Sequence, residues 1–337
     1  VLFLLGIFMA NELFPKENTL APSLKPLSAG QKELGTNQTQ AVKKTVSLLA
    51  IGNSFSADAT ACLGDIVNSS DNCKLTFAHA CIGGCSLEEH YRLAVKHQEN
   101  PEDPEGKPYP WNNRKVSLKE MLAADQWQYV TIQQVSRFSP KIETYRPFAK
   151  NMVDYIKKYA PQAEVVFHQT WAYRSDDKKL YSGGYNQDTM YQDFTRAYHT
   201  MAGELGIKKI IPVGDAFQLA AESPEWQFKP DPEFDYKNPR YPAVPKEFHS
   251  LHRGSQWAIE GGKKTFYIDT HHANTAGSFL GACVWFEFFF GEDVRSIAFK
   301  PPSISNENAA FLKGIAHQTV TGNIKPRSWP LNTNPHE

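Results

Sequence analysis

A carboxylate, an imidazole and a hydroxyl are the parts of a nucleophilic site, and this chain carries each beside a turn. Asp269-Thr270-His271-His272-Ala273-Asn274-Thr275-Ala276-Gly277 follows a short apolar segment, Phe266 to Ile268. An aspartate three residues before a histidine can reach back to the ring Nδ1. That contact holds the tautomer whose Nε2 is free to act as a general base. The plainer role for such an aspartate is to cap the helix that follows. Ser54 stands at the turn from the first strand into the first helix, exposed at the sheet edge, where a helix N-terminus favours developing negative charge. A serine there is also a common helix cap. Gly83-Gly84 has no side chains to hold a backbone N–H away from an oxyanion, although glycine pairs also serve as ordinary turns.

Metal chemistry has weaker support. Four of the five cysteines, Cys62, Cys73, Cys81 and Cys85, fall in one short stretch. One disulfide would suit an oxidising compartment, but five cysteines in 337 residues are no disulfide framework. Cys81-x3-Cys85 lies near His79, yet structural zinc sites repeat such a pair and here only one exists. His271 and His272 lack a third ligand at helical spacing. We therefore expect no metal and no organic cofactor. A metal-dependent enzyme built on His271, His272 and cysteines remains the least favoured reading.

These residues need elements to position them. Val46 to Ile51 is a continuous apolar run, as in a strand buried on both faces of a parallel sheet. It ends in Gly52-Asn53-Ser54, and Ser56 is expected to cap a helix running to about Val67. Leu75 to Ala80 is a second strand, and Ser86 opens a helix with Glu88 and Glu89 in its first turn. Tyr129 to Ile132, Glu164 to His168 and Lys209 to Val213 complete five strands. Phe148, Met152, Ile156 and Tyr159 mark one helix face, and Met190, Phe194, Ala197, Met201 and Leu205 another. A last helix is expected from Asn274 to about Phe289. Five βα units imply an α/β fold, a three-layer α/β/α sandwich with a parallel five-stranded sheet, whose functional groups sit on loops at the carboxyl ends of strands.

The expected organisation is a signal-like segment and polar tether over residues 1–44, one domain over residues 45–322, and a tail over residues 323–337. Val1 to Ala10 is apolar but too short to span a bilayer, and reads as part of a secretory signal, which makes a secreted or periplasmic location the expectation. Two long insertions, residues 98–114 and 223–264, interrupt the pattern. Trp226, Phe228, Phe234, Tyr236, Tyr241, Phe248 and Trp257 crowd the second. Such loops serve as binding elements or pack on themselves as small satellite cores. With 36 basic and 36 acidic residues the formal charge is zero, which removes the electrostatic case for a nucleic-acid partner. No apolar run is long enough for an integral membrane span. No G-x-G-x-x-G or Walker sequence supports a nucleotide site.

Together these residues resemble the SGNH (GDSL-like) hydrolase superfamily. Gly52-Asn53-Ser54-Phe55 is similar to its first block, with Asn53 where the family usually has Asp. Ile82-Gly83-Gly84 is similar to the second, with Gly84 in the oxyanion-donor position. Asp269-x-x-His272, with Gly277 five residues later, is similar to the last. The third block, Gly-x-Asn-Asp in the family, is replaced by Ile132-Gln133-Gln134-Val135-Ser136, a departure that suggests a divergent bacterial branch. The resemblance implies a flavodoxin-like sheet and a serine esterase with Ser54 as nucleophile, His272 as base and Asp269 orienting it. The Ser54 and Gly84 N–H groups, with an amide of Gln133 or Gln134, would hold the oxyanion. Trp171, Tyr173 and Asn53 would line the substrate. The expected partner is a small-molecule or glycan ester, most simply an acetylated carbohydrate. A lipase or thioesterase of the same superfamily, or a non-catalytic carbohydrate-binding protein that keeps the fold, are the alternatives.

Overall fold

The computed structural model describes residues 43–322; the signal-like segment, nearly all of the polar tether and the tail from residue 323 lie outside them. Among the described residues, nine strands and nine α-helices follow in chain order. The strands are β1 Lys44–Gly52, β2 Cys73–Cys81, β3 Tyr109–Trp111, β4 Arg114–Val116, β5 Tyr129–Ile132, β6 Glu164–His168, β7 Ile210–Ile211, β8 His252–Glu260 and β9 Lys263–Ala273. The helices are α1 Ser54–Thr60, α2 Leu63–Asn68, α3 Leu87–Glu99, α4 Leu118–Ala123, α5 Phe148–Tyr159, α6 Gln187–Leu205, α7 Val213–Glu222, α8 Thr275–Phe290 and α9 Asn306–Val320.

The central sheet has the order β2-β1-β5-β6-β7, and every pair in it is parallel. Side chains alternate along a strand, so β1 feeds two cores. Leu48 and Ala50 join the layer of α1, α2, α7, α8 and α9, whereas Leu49 and Ile51 join the layer of α3 to α6. Helix α8 is apolar almost all round because it is covered by the sheet on one side and α9 on the other. The chain leaves β1 towards β2, then returns to lay β5 on the other side of β1. That reversal is the switch point at which doubly wound sheets open a crevice, and it lies at the end of β1. The parallel five-stranded, three-layer α/β/α architecture is the one the sequence implied.

Several boundaries differ from expectation. Ser56 is not a cap: the Asn53 side chain accepts from the Phe55 N–H, α1 starts at Ser54, and the helix breaks before α2. Insertion 98–114 is not a loop throughout, because α3 runs to Glu99 and β3 and β4 form a hairpin turned at Asn112 and Asn113, both at positive φ. Insertion 223–264 is irregular only as far as β8. Phe266 to Ile268 is the middle of β9, which pairs antiparallel with β8 around Gly261 and Gly262 and stands outside the central sheet. Its aromatics largely pack on one another: Phe234 meets Tyr236 and Phe266, and Trp257 meets Tyr241 and Phe266. Trp226 instead stacks on Phe311 of α9. All five cysteines are free thiols.

Three buried histidines make the frame acid-sensitive. Burial lowers His90 to about 4, and His168 and His252 to about 3. In the unfolded chain each titrates near 6.5. Below that value the unfolded state binds protons that the folded state refuses, so their contribution is complete above pH 6.5 and declines as pH falls. At about 1.4 kcal/mol per pH unit each, the three together remove on the order of 3–4 kcal/mol between pH 6 and pH 5. The melting temperature should be flat from pH 8 to 7 and fall steeply below 6; a flat profile down to pH 5 would contradict this account.

Candidate active site

At the carboxyl end of β1 the chain turns sharply, and an added Cβ at Gly52 would stand 2.7 Å from the Ser56 Cβ and 3.0 Å from Gln133 Oε1. Only glycine allows that approach. Asn53 then caps α1, which leaves Ser54 as its first residue, half-buried, with an N–H that has no intrahelical acceptor. From the far end of the chain, β9 delivers Asp269, His271 and His272, and Asn274 caps α8 directly afterwards by accepting from the Ala276 and Gly277 N–H groups.

These two ends meet. His272 Nε2 lies 2.8 Å from Ser54 Oγ, and His272 Nδ1 lies 2.8 Å from Asp269 Oδ2. The other Asp269 oxygen accepts the backbone N–H of His272 at 3.0 Å and of His271 at 3.2 Å. Burial pushes the Asp269 carboxyl up, but the His272 hydrogen bonds and the two neighbouring rings outweigh it and hold the acid well below the usual carboxylate range. It is thus ionised at neutral pH and favours an Nδ1–H tautomer at His272. Such an arrangement can take a proton from a serine hydroxyl and stabilise the imidazolium that results.

The second block forms a tight turn in which the Cys85 N–H donates to the Ile82 carbonyl and Gly84 has φ +67°. A left-handed residue at that corner favours glycine. The Gly84 carbonyl accepts from Arg137, and its N–H makes no hydrogen bond among the described residues.

A profile of the family described as a domain of unknown function (DUF4886) matches residues 47–258. The chain belongs to the DUF4886 family. The match takes in Ser54, Gly84 and both glutamines and stops before Asp269 and His272. A DUF4886 crystal structure from Bacteroides uniformis is similar at 25% identity with a TM-score of 0.63, covering 84% of this chain and 97% of that one. A structure described as an SGNH hydrolase candidate from Slackia heliotrinireducens is 20% identical with a TM-score of 0.43, covering 72% and 98%. An acetylxylan esterase from Geobacillus stearothermophilus is 12% identical with a TM-score of 0.40, covering 78% and 98%. No curated protein matches the chain.

Within the DUF4886 domain the two glutamines part company. Gln133 sends Nε2 to Asn53 Oδ1 at 2.8 Å, beside the start of α1. Gln134 is committed on the opposite side. Its oxygen accepts from the Leu87 and Val135 N–H groups, and its nitrogen donates to the carbonyl and hydroxyl of Thr144. Asn53, expected to touch substrate, is only 1% exposed and spends every polar atom inside the protein, accepting from Phe55 and Gln133 and donating to the Cys85 carbonyl. Trp171 is fully buried between Phe55 and Phe217, and its indole N–H holds the His271 carbonyl at 2.8 Å. It braces the histidine loop from beneath and does not line a pocket. Tyr173 is half-buried, with its hydroxyl 2.9 Å from Ser136 Oγ and its ring 5.2 Å from that of His271.

One residue of this DUF4886 site escaped sequence reasoning altogether. Asp58 lies one helical turn after Ser54, and its carboxylate accepts the Ala273 N–H at 2.9 Å and Arg253 Nη2 at 2.8 Å. Arg253 Nε in turn donates to the Ala273 carbonyl. Asp58 therefore clamps α1 to the residue after His272. The spacing of four from Ser54 was visible, but nothing local distinguished a clamp from a solvated helix acid. Asp269, His271 and His272 also bring donor atoms within 4.8 Å of one another, without any cysteine. Both rings turn Nδ1 towards the carboxylate, at 2.8 and 3.1 Å.

Proposed function

We propose that this protein is a serine esterase that removes an O-acyl group, most simply acetyl, from a carbohydrate. The observation that carries the reading is the unbroken contact from Ser54 Oγ to His272 to Asp269. Ser54 Oγ attacks the ester carbonyl as His272 Nε2 takes its proton, and Asp269 steadies the imidazolium. The oxyanion accepts from the Ser54 and Gly84 N–H groups and from a Gln133 amide hydrogen. Collapse breaks the ester C–O bond, and His272 returns the proton to the departing sugar oxygen. Water, deprotonated by His272, then releases the acid and frees Ser54.

One feature supports a carbohydrate ester. The hairpin insertion exposes Phe248 and Tyr267, aromatic side chains of the kind that can stack on a pyranose. The apolar Val1 to Ala10 supports export, where such esters occur. A fluorophosphonate probe should label Ser54, and the protein should release acetate from an acetylated oligosaccharide faster than it cleaves a long-chain ester or an acyl thioester. A folded protein that takes no label would end the esterase reading.

Gln133 rather than Gln134 completes the hole in this reading, because Gln134 Nε2 is occupied by Thr144 while Gln133 Nε2 has a single acceptor, Asn53. Gln133→Ala should lower kcat by about 10²-fold to 10³-fold, or roughly 3–4 kcal/mol, with little change in KM. Gln134→Ala should keep kcat and lower the melting temperature. Full kcat in both variants would leave the hole to backbone N–H groups alone.

A further inference from the structure

Beneath the nucleophile turn runs a buried hydrogen-bond chain that crosses three strand ends. His168 Nδ1, at the end of β6, lies 2.8 Å from Gln133 Oε1. Gln133 Nε2, just past β5, lies 2.8 Å from Asn53 Oδ1. Asn53 Nδ2, past β1, lies 2.9 Å from the Cys85 carbonyl in the glycine turn. His168, Gln133 and Asn53 are each 1% exposed, so water cannot substitute for any link.

The direction of this chain is not free. The Cys85 carbonyl can only accept, so Asn53 must turn its NH₂ towards it. The Phe55 N–H can only donate, and it is 3.1 Å from the other Asn53 atom, which must be oxygen. Gln133 must then present NH₂ to Asn53, which leaves its oxygen facing His168. An oxygen there demands a donor, so His168 is the Nδ1–H tautomer with Nε2 bare. Two backbone groups thus set the polarity of three side chains. His168 Nε2 is indeed buried with no partner among the described residues, and the ring sits edge-on to Trp285 at 5.1 Å. A leucine would avoid that unpartnered atom, since an unsatisfied buried polar group is destabilising. What a leucine cannot do is donate to Gln133.

We infer that His168 is a positioning residue, which by donating from Nδ1 holds the Gln133 amide with its NH₂ towards the nucleophile turn and keeps the Asn53 cap of α1 in place. Without that donor the Gln133 amide keeps only its bond to Asn53 Oδ1, its own oxygen is left unpartnered in a buried site, and its NH₂ is less firmly aimed at the nucleophile turn. Burial, which lowers His168 to about 3, keeps the ring neutral throughout the working range and so keeps the chain's direction constant. The inference rests on the esterase reading for its catalytic consequence, but not for the tautomer itself.

The test has two arms. His168→Asn places an amide Nδ2 where the imidazole Nδ1 was, whereas His168→Leu fills the space with no donor. With a short-chain aryl acetate, His168→Leu should lose at least about 10-fold in kcat with KM within twofold, while His168→Asn should recover to within about threefold of the parent. Leu with unaltered kcat, or Asn as impaired as Leu while both melt cooperatively, would overturn the inference. The second arm needs no variant to fold: long-range ¹H–¹⁵N correlation of imidazole nitrogens in the unmodified protein should show His168 protonated at Nδ1 and bare at Nε2 from pH 6 to 8. The Nε2–H tautomer, or an imidazolium, would overturn it. A parent protein whose hydrolysis survives Ser54→Ala would instead sink the esterase reading, and the tautomer would still be decided.

Discussion

Ser54→Ala is expected to lower turnover of a short-chain aryl acetate by about 10⁴-fold or more, with the fold intact. The size of the loss follows from the reading of Ser54 as nucleophile, because without Oγ no acyl-enzyme forms and only binding and the oxyanion donors remain. The fold should survive because Ser54 is not the cap of α1. Asn53 performs that task, and among the described residues Ser54 Oγ has one partner, His272 Nε2. Alanine is a strong helix former at such a position. The measurement is kcat for pure protein beside a melting curve. Residual activity above about a tenth of the parent's, with unchanged melting, would remove Ser54 from the role.

His272→Ala should be nearly as damaging, and His271→Ala should cost less than about 10-fold. The two rings look alike at first: both turn Nδ1 to Asp269, at 2.8 Å for His272 and 3.1 Å for His271. Only His272 also reaches Ser54. His271 packs instead against Tyr173 and Phe55, at 5.2 and 6.4 Å between centroids, so its loss should register as a looser loop. Burial, then the neighbouring His272, lowers the His271 ring below its ordinary value, which disfavours a second positive charge beside an imidazolium. Parallel kcat measurements on the two variants decide the matter. A severe loss at His271 with an active His272→Ala protein would exchange their roles.

Local features of this chain were legible without coordinates because they depend on periods and spacings that the backbone imposes. The apolar run of β1 alternates between two cores by the pleat alone. The length and apolarity of α8 mark a buried helix before its covering partners are known, and the Ser86 cap with Glu89 is set by neighbours a few residues away. The Asp269–His272 contact is of the same kind, since three residues at the end of β9 bring Oδ2 to Nδ1. The β8–β9 hairpin is also within reach of the sequence: Gly261-Gly262 between aromatic and β-branched residues is a hairpin signal. Apart from Ser54 and His272, which the family resemblance had joined, long-range partners were not legible. Which of two adjacent glutamines meets the start of α1 depends on an Asn 80 residues away, and the clamp from Asp58 closes on Ala273, 215 residues on. Trp171 looked like a pocket aromatic until Phe55 and Phe217 covered both its faces. Side-chain alternation places Gln133 and Gln134 on opposite faces, but only the strand order β2-β1-β5 decides which of them lies beside Asn53 at the end of β1. Closing loops of that length is governed by how whole elements pack, and no local spacing encodes the result.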